Sequence, residues 1–303
     1  MYDWRVCALM TWIENHKNED GSLSMSKLAS AGHLDQYHYL GLACNDEVID
    51  ILDLRRPGTR ILDVGCGIGG PARYISWKSG CEIVGVDIQD QLVTAGNDIT
   101  RMVGLQNRVS LIAGDVCDPS VVPEESFDAF ISLLVILHIA DRRSLFQSLF
   151  RATKSGGGFL IEDMVALDGD FSDNETRIAK EVIGAPYLPT LSEYRDQLTE
   201  AGFVDIEFES LTPEWIKWCM NRSDQYNASR DDQIRMHGEK IFAQRCSFYS
   251  DVKTLFLSGK LGGFRVTGRK PTPMEISIKH HRTRRQETAA LVDRNMNTIL
   301  EGN

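Results

Sequence analysis

The chain has 303 residues, of which 42% are hydrophobic and 25% charged, so it is long enough for one sizeable core with a subdomain and too apolar to be disordered throughout. The formal net charge of −10 argues against electrostatic holding of nucleic acid or an anionic membrane. The seven cysteines, at 7, 44, 66, 81, 117, 219 and 246, are scattered, with no CxxC pair to suggest a zinc site or a disulfide framework. That usage fits a reducing, cytoplasmic compartment. The longest apolar stretch, Phe130 to Ala140, contains Ser132 and His138 and falls far short of the roughly 20 residues a membrane span requires.

The first 55 residues read as helical. Val6, Leu9, Met10 and Ile13 recur at helical spacing, and the start lacks the basic cluster and cleavage site of a leader. A polar break at Asn18 to Ser22 precedes HLDQYHYLGL at 33–42, with two histidines and two tyrosines. A helix over Asp46 to Leu54 then ends at Arg56-Pro57-Gly58.

From Gly58 short apolar runs alternate with helical patterns. Strands are predicted at 60–64, 82–86, 109–113, 127–132 and 158–162, and helices at 71–78, 90–103 and 142–152. This alternation implies a doubly wound, mostly parallel sheet. An insertion follows at 164–190, with a helix near 176–183. A helix at 191–201 and a strand at 203–211 come next, then a mostly helical insertion at 213–259. The last strand, 261–268, is expected to run antiparallel and makes the seventh. The predicted fold is therefore α/β, Rossmann-like, with a helical cap at 1–56, a sheet domain at 57–270 and a tail at 271–303. That tail carries a basic run (Lys279, His280, His281, Arg282, Arg284, Arg285) read as solvated, and a short helix at 287–300.

The strongest chemical signal is ILDVGCGIGGPARYI at 61–75. A strand ends at Asp63-Val64, and Gly65, Gly67, Gly69 and Gly70 turn the chain into a helix. Glycines there admit close backbone approach to a ligand, and the helix start offers free N–H groups. Asp87, closing the second strand, is placed to accept hydrogen bonds from both hydroxyls of a ribose. Asp63 is placed to accept from an ammonium or an ordered water. Cys66 in the same loop reads as a small filler.

These pieces resemble the class I S-adenosylmethionine-dependent methyltransferases, and the resemblance covers roughly residues 33–270. It rests further on GD at 114–115, FDAFISLLVILHIADR at 127–142 and SGGGFLIED at 155–163. Within that family the chain is similar to the small-molecule branch that includes sarcosine/dimethylglycine N-methyltransferase-like proteins, through LDQYHYLG (34–41), YLPTLSEYRDQLTEAGF (187–203) and LGGFRVTGR (261–269). The turn KSGGG at 154–158 departs from the more usual KPGG, and the tail lies outside the resemblance.

The resemblance implies S-adenosylmethionine as cofactor. It implies a cradle of Gln36, Asp63, Gly65, Gly67, Gly69, Asp87, Ile88, Asp115, Val116 and Leu133. No metal is implied. His138, at the carboxyl edge of the fourth strand, suits a general base, or else satisfies backbone groups there. By analogy with phosphoethanolamine methyltransferases, Tyr37 pairs with His138 as a catalytic latch; alternatively Tyr37 and Tyr39 are core aromatics. Tyr39, Asp163 and Tyr187 are candidate substrate contacts, with an N-cap for Asp163 and plain packing for Tyr187 as the other options. His33 and His38 have no third ligand at matching spacing and are read as packed or solvated.

The implied activity is methyl transfer to a small polar metabolite, foremost N-methylation of an amino acid or small amine. S-methylation of a small thioether or thiol and a non-catalytic cofactor-binding partner subunit are the alternatives. A monomer or homodimer is expected.

Overall fold

The computed structural model describes residues 3–167 and 169–277, so the basic run and the predicted helix at 287–300 lie outside the described residues. The seven strands are β1 (Arg60–Val64), β2 (Glu82–Asp87), β3 (Val109–Ala113), β4 (Phe127–Leu133), β5 (Thr153–Ala166), β6 (Val204–Ser210) and β7 (Leu261–Arg269). They form one sheet in the order β3-β2-β1-β4-β5-β7-β6. β1 to β5 pair in parallel, and β7 pairs antiparallel with both β5 and β6, as the sequence predicts.

The order reverses beside β1, where β2 lies on one side and β4 on the other. In an open α/β sheet that crevice, beyond the carboxyl ends of the strands, is where ligands collect. Successive strand residues point to opposite faces. Ile61, Ile83, Ile131 and Leu160 therefore pack with α4 (Gly70–Ser79) and α5 (Asp90–Met102) on one face. Leu62, Val84, Phe130, Phe159 and Ile161 pack with α6 (Arg142–Ala152) and α8 (Leu191–Ala201) on the other.

The N-terminal cap comprises α1 (Asp3–Glu14), α2 (Met25–Ala29), a 3₁₀ turn at Gly32–Leu34 and α3 (Leu42–Ile51), and it closes on the α4–α5 face. The predicted helix at 46–54 thus begins earlier, at Leu42 behind Gly41, and ends at Ile51.

β5 begins well before the predicted 158, because the KSGGG segment continues the strand. Gly156 N–H donates to Lys270 O (3.0 Å) and Lys270 N–H donates to Gly157 O (2.9 Å). It also runs on to Ala166, so the insertion starts later than 164. There α7 (Asp173–Arg177) leads into a π-helical stretch, Ile178–Ile183. Between β6 and β7 lie α9 (Thr212–Ala228), α10 (Arg230–His237) and α11 (Glu239–Leu257). Trp215, Cys219, Val252 and Phe256 from α9 and α11 pack with Tyr39 and the π-helical stretch over the ligand edge. Among the described residues no helix is long and apolar enough to cross a membrane.

Candidate active site

The loop between β1 and α4 is shaped by its glycines. Gly65, Gly67 and Gly69 have φ of 69°, 53° and 79°, the left-handed region that costs other residues steric energy. Gly65 is doubly constrained, since a Cβ there would run into the Val135 side chain. Gly65 and Cys66 N–H both donate to Val86 O, at 2.8 and 3.1 Å. Gly67 N–H donates to Asp87 Oδ2 at 2.8 Å, and Gln89 N–H donates to Oδ1 at 2.9 Å. Two backbone amides thus fix the half-buried Asp87 carboxylate, and each oxygen keeps a lone pair for a ligand.

Ile88, next in the chain, is 78% exposed, an isolated apolar side chain beside a carboxylate. Asp115 accepts from Cys117 N–H at 2.8 Å, and Val116 and Leu133 are buried. Asp63 is buried at the end of β1, and its Oδ2 has no hydrogen-bond partner. Burial, and then the nearby Asp87 carboxylate, raise its pKa to about 7. An orphaned acceptor next to backbone amides and a ribose-ready carboxylate fits a ligand with cationic and hydroxyl groups, as S-adenosylmethionine has.

The N-terminal segment is locked onto this loop. Asp35 and Arg73 form a fully buried ion pair at 2.6 Å, and Arg73 also donates to Ile68 O (2.7 Å) and Gly96 O (3.1 Å). Gln36 is buried between them and the cap: its Nε2 donates to Asp35 Oδ2 (3.0 Å), and its Oε1 accepts from Asn45 Nδ2 (2.9 Å). Gly70 has no room for a side chain beneath the Asp35 carbonyl. Sequence reasoning missed the Asp35–Arg73 pair. Its only signal was an arginine between the buried Ala72 and Tyr74 of α4.

Next to the crevice lies a cavity of about 650 Å³, walled by the loop after β4, the π-helical stretch, α9 and α11. His138 lines it, and so does Tyr39. His138 Nδ1 lies 3.0 Å from Gly184 O. A carbonyl only accepts, so Nδ1 carries the proton and the Nε2 lone pair is left for another group. Tyr39 packs edge-on against Trp215 (4.7 Å between centroids) and tilted against Trp218 (4.6 Å).

Tyr37 is placed differently. The Arg5 guanidinium lies over its ring at 4.3 Å, its hydroxyl has no partner, and burial holds that hydroxyl protonated. The structure does not join Tyr37 to His138. Tyr187 is 43% exposed and also lies off the cavity wall. His33 lines the cavity, and burial lowers its pKa well below the usual range, so it is neutral. His38 is buried, with Nε2 donating to Gly41 O at 2.9 Å; burial lowers its pKa to about 4.

The two acids at the end of β5 part company because strand residues alternate. Glu162 turns toward the cap, where Arg265 holds it at 2.6 Å and Cys44 Sγ donates to it at 3.3 Å. Asp163 turns into the opposite core, where it accepts from Met164 N–H (2.9 Å) and Tyr194 Oη (3.4 Å). It is not among the residues that line the cavity, and its hydrogen bonds run to the core. Asp163→Ala is expected to cost about 1–3 kcal/mol by stranding buried donors. Urea unfolding checks this, with cofactor affinity unchanged. Among the described residues no cluster of three or more histidine, cysteine, aspartate or glutamate side chains is arranged to hold a metal ion.

Residues 62–161 match a family model described as a methyltransferase domain. Phosphoethanolamine N-methyltransferase of Triticum aestivum is 30% identical over 202 residues, covering 67% of this chain and 39% of that protein. Sterol 24-C-methyltransferase of Candida albicans is 27% identical over 249 residues, covering 80% and 61%. The chain spans less than half the length of the first curated relatives it matches. The solved structure of phosphoethanolamine N-methyltransferase 2 of Haemonchus contortus, in complex with phosphomonomethylethanolamine and S-adenosylhomocysteine, shares the fold. It has a TM-score of 0.70 and 23% identity, covering 77% of this chain and 53% of that one.

Proposed function

We propose that this chain, whose residues 62–161 form a methyltransferase domain, transfers a methyl group from S-adenosylmethionine to the nitrogen of a small molecule. The observation that carries this reading is the juxtaposition of two sites. One is a glycine loop whose amides orient Asp87 beside the orphaned Asp63 oxygen. The other is a half-open cavity lined by His138, whose Nε2 is left free by the Nδ1 contact with Gly184 O. The N-methylating relative from wheat supports the same acceptor class.

Asp63 and Asp87 hold the cofactor's cationic and hydroxyl groups. Ile88, Val116 and Leu133 supply apolar contact, Asp115 a carboxylate, and Gln36 secures the segment that covers it. The bound cofactor supplies an electrophilic methyl group, so the protein's task is positioning and exclusion of water. An ammonium acceptor has no lone pair to attack with. His138 Nε2 takes its proton, while the Gly184 carbonyl holds the ring in the tautomer that can do so. Tyr39 and Trp218 form the wall against which the acceptor rests. The free state of all seven cysteines supports a cytoplasmic location.

The test is labelled cofactor with a panel of amines, thioethers and carbon acceptors, followed by mass spectrometry. His138→Ala is expected to lower turnover of the preferred amine by about 10²–10⁴-fold with cofactor affinity unchanged. Tyr37→Phe is expected to leave turnover near wild type, since its hydroxyl has no hydrogen-bond partner and Tyr37 is not among the residues lining the cavity. A thioether product, or a pH-independent rate on the preferred substrate, overturns the general-base role. Cofactor binding without any methylated product points to the partner-subunit alternative.

A further inference from the structure

The cavity is larger and more apolar than an amino acid or a phosphorylated ethanolamine needs. Its lining includes none of Asp63, Gly65, Gly67, Asp87 and Asp115, so its roughly 650 Å³ lies beside the glycine-loop cradle rather than in it. That volume is in the range that takes a drug-sized ligand. A two- or three-carbon amine would leave most of it to water against hydrocarbon, which is unfavourable.

The wall itself points the same way. Leu134, Leu137, Met164 and Ile183 come from the sheet edge and the π-helical stretch, and Trp218 and Phe248 from α9 and α11. Trp218 and Phe248 are only partly buried although they belong to the apolar cluster over the site, so part of each ring is uncovered. The lining carries two arginines, Arg5 and Arg245, and two acids, Glu181 and Asp251, and desolvation keeps His33 neutral. A cavity selecting a dianionic phosphate would carry an excess of positive charge.

We propose that the acceptor is an amphipathic amine with an apolar body of about six carbons or more, seated against Trp218 and Phe248 with its nitrogen toward His138. This rests on the methyltransferase reading above and narrows its substrate class.

The experiment is calorimetric titration of the full chain, loaded with S-adenosylhomocysteine, with the primary amines from ethylamine to octylamine and with phosphoethanolamine. Affinity is expected to tighten severalfold, up to roughly fourfold, per added methylene through at least hexylamine. Phosphoethanolamine is expected to bind more weakly than hexylamine. Trp218→Ala and Phe248→Leu should each flatten the series without changing affinity for S-adenosylhomocysteine, and a thermal melt reports whether either variant is misfolded. A flat series, tighter binding of phosphoethanolamine, or a slope unchanged in folded forms of both variants overturns the proposal. Failure to bind S-adenosylhomocysteine at all would instead overturn the methyltransferase reading.

Discussion

Asp35→Ala is expected to remove about 3–5 kcal/mol of folding stability, because it leaves the Arg73 guanidinium buried without its counter-charge. Both side chains are essentially inaccessible, and their 2.6 Å contact is the cross-link between the N-terminal segment and the start of α4. Arg73 retains the Ile68 and Gly96 carbonyls, so it stays in place and the penalty is that of an unpaired charge. Arg73→Met in the Asp35→Ala background should recover part of the loss, since an apolar pair of similar volume avoids the desolvation cost. Urea midpoints of the two single variants and the double variant measure the coupling. A loss below about 1 kcal/mol in Asp35→Ala would mean the pair is effectively solvated. The same substitution should weaken cofactor affinity, because the Asp35 carboxylate also accepts from Gln36 and holds Arg73, which donates to Ile68 O in the glycine loop.

That cross-link shows where sequence reasoning reaches its limit. The strands, the glycine loop and the antiparallel last strand are visible because each is encoded within a short window, by alternation or by residues that tolerate positive φ. Asp87 was legible for the same reason, since its partners are the adjacent loop and the next helix start. Asp35 and Arg73 lie far apart in the chain and nothing local pairs them. The KSGGG segment reads as a turn, and only its pairing with residues near Lys270, over a hundred positions later, makes it strand. Asp163 reads equally as an edge carboxylate facing a ligand or as a helix N-cap. Which of two consecutive acids faces which side depends on strand register against β7, where Glu162 opposes Arg265 and Asp163 opposes Phe264. Tyr37 and His138 both sit near the ligand edge in sequence terms. Tyr37 instead lies under the Arg5 guanidinium contributed by α1, a contact that nothing local in the sequence announces.

Asp63 gives the second large effect, a pH dependence of cofactor binding. Its pKa is about 7 in the folded chain against 3.8 ordinarily. Across that window the folded protein holds a proton that the unfolded chain has released. The ligand-free protein therefore loses stability as pH rises from about 4 to about 7, at up to about 1.4 kcal/mol per pH unit from this group. A cationic group bound beside Asp63 reverses the preference, since it favours the carboxylate. Binding must then expel the proton at low pH. Affinity for S-adenosylhomocysteine is expected to be about three quarters of its maximum at pH 7.5 and about 25-fold weaker than that at pH 5.5, following the ionised fraction. Asp63→Asn should weaken binding at pH 7.5 and flatten the profile. Asp163, also raised to about 7 by burial, faces the opposite core, so Asp163→Asn should keep the wild-type slope. Calorimetric titration of the three proteins across that range decides the matter. A slope that survives Asp63→Asn and vanishes in Asp163→Asn would move the titrating group out of the cofactor cradle.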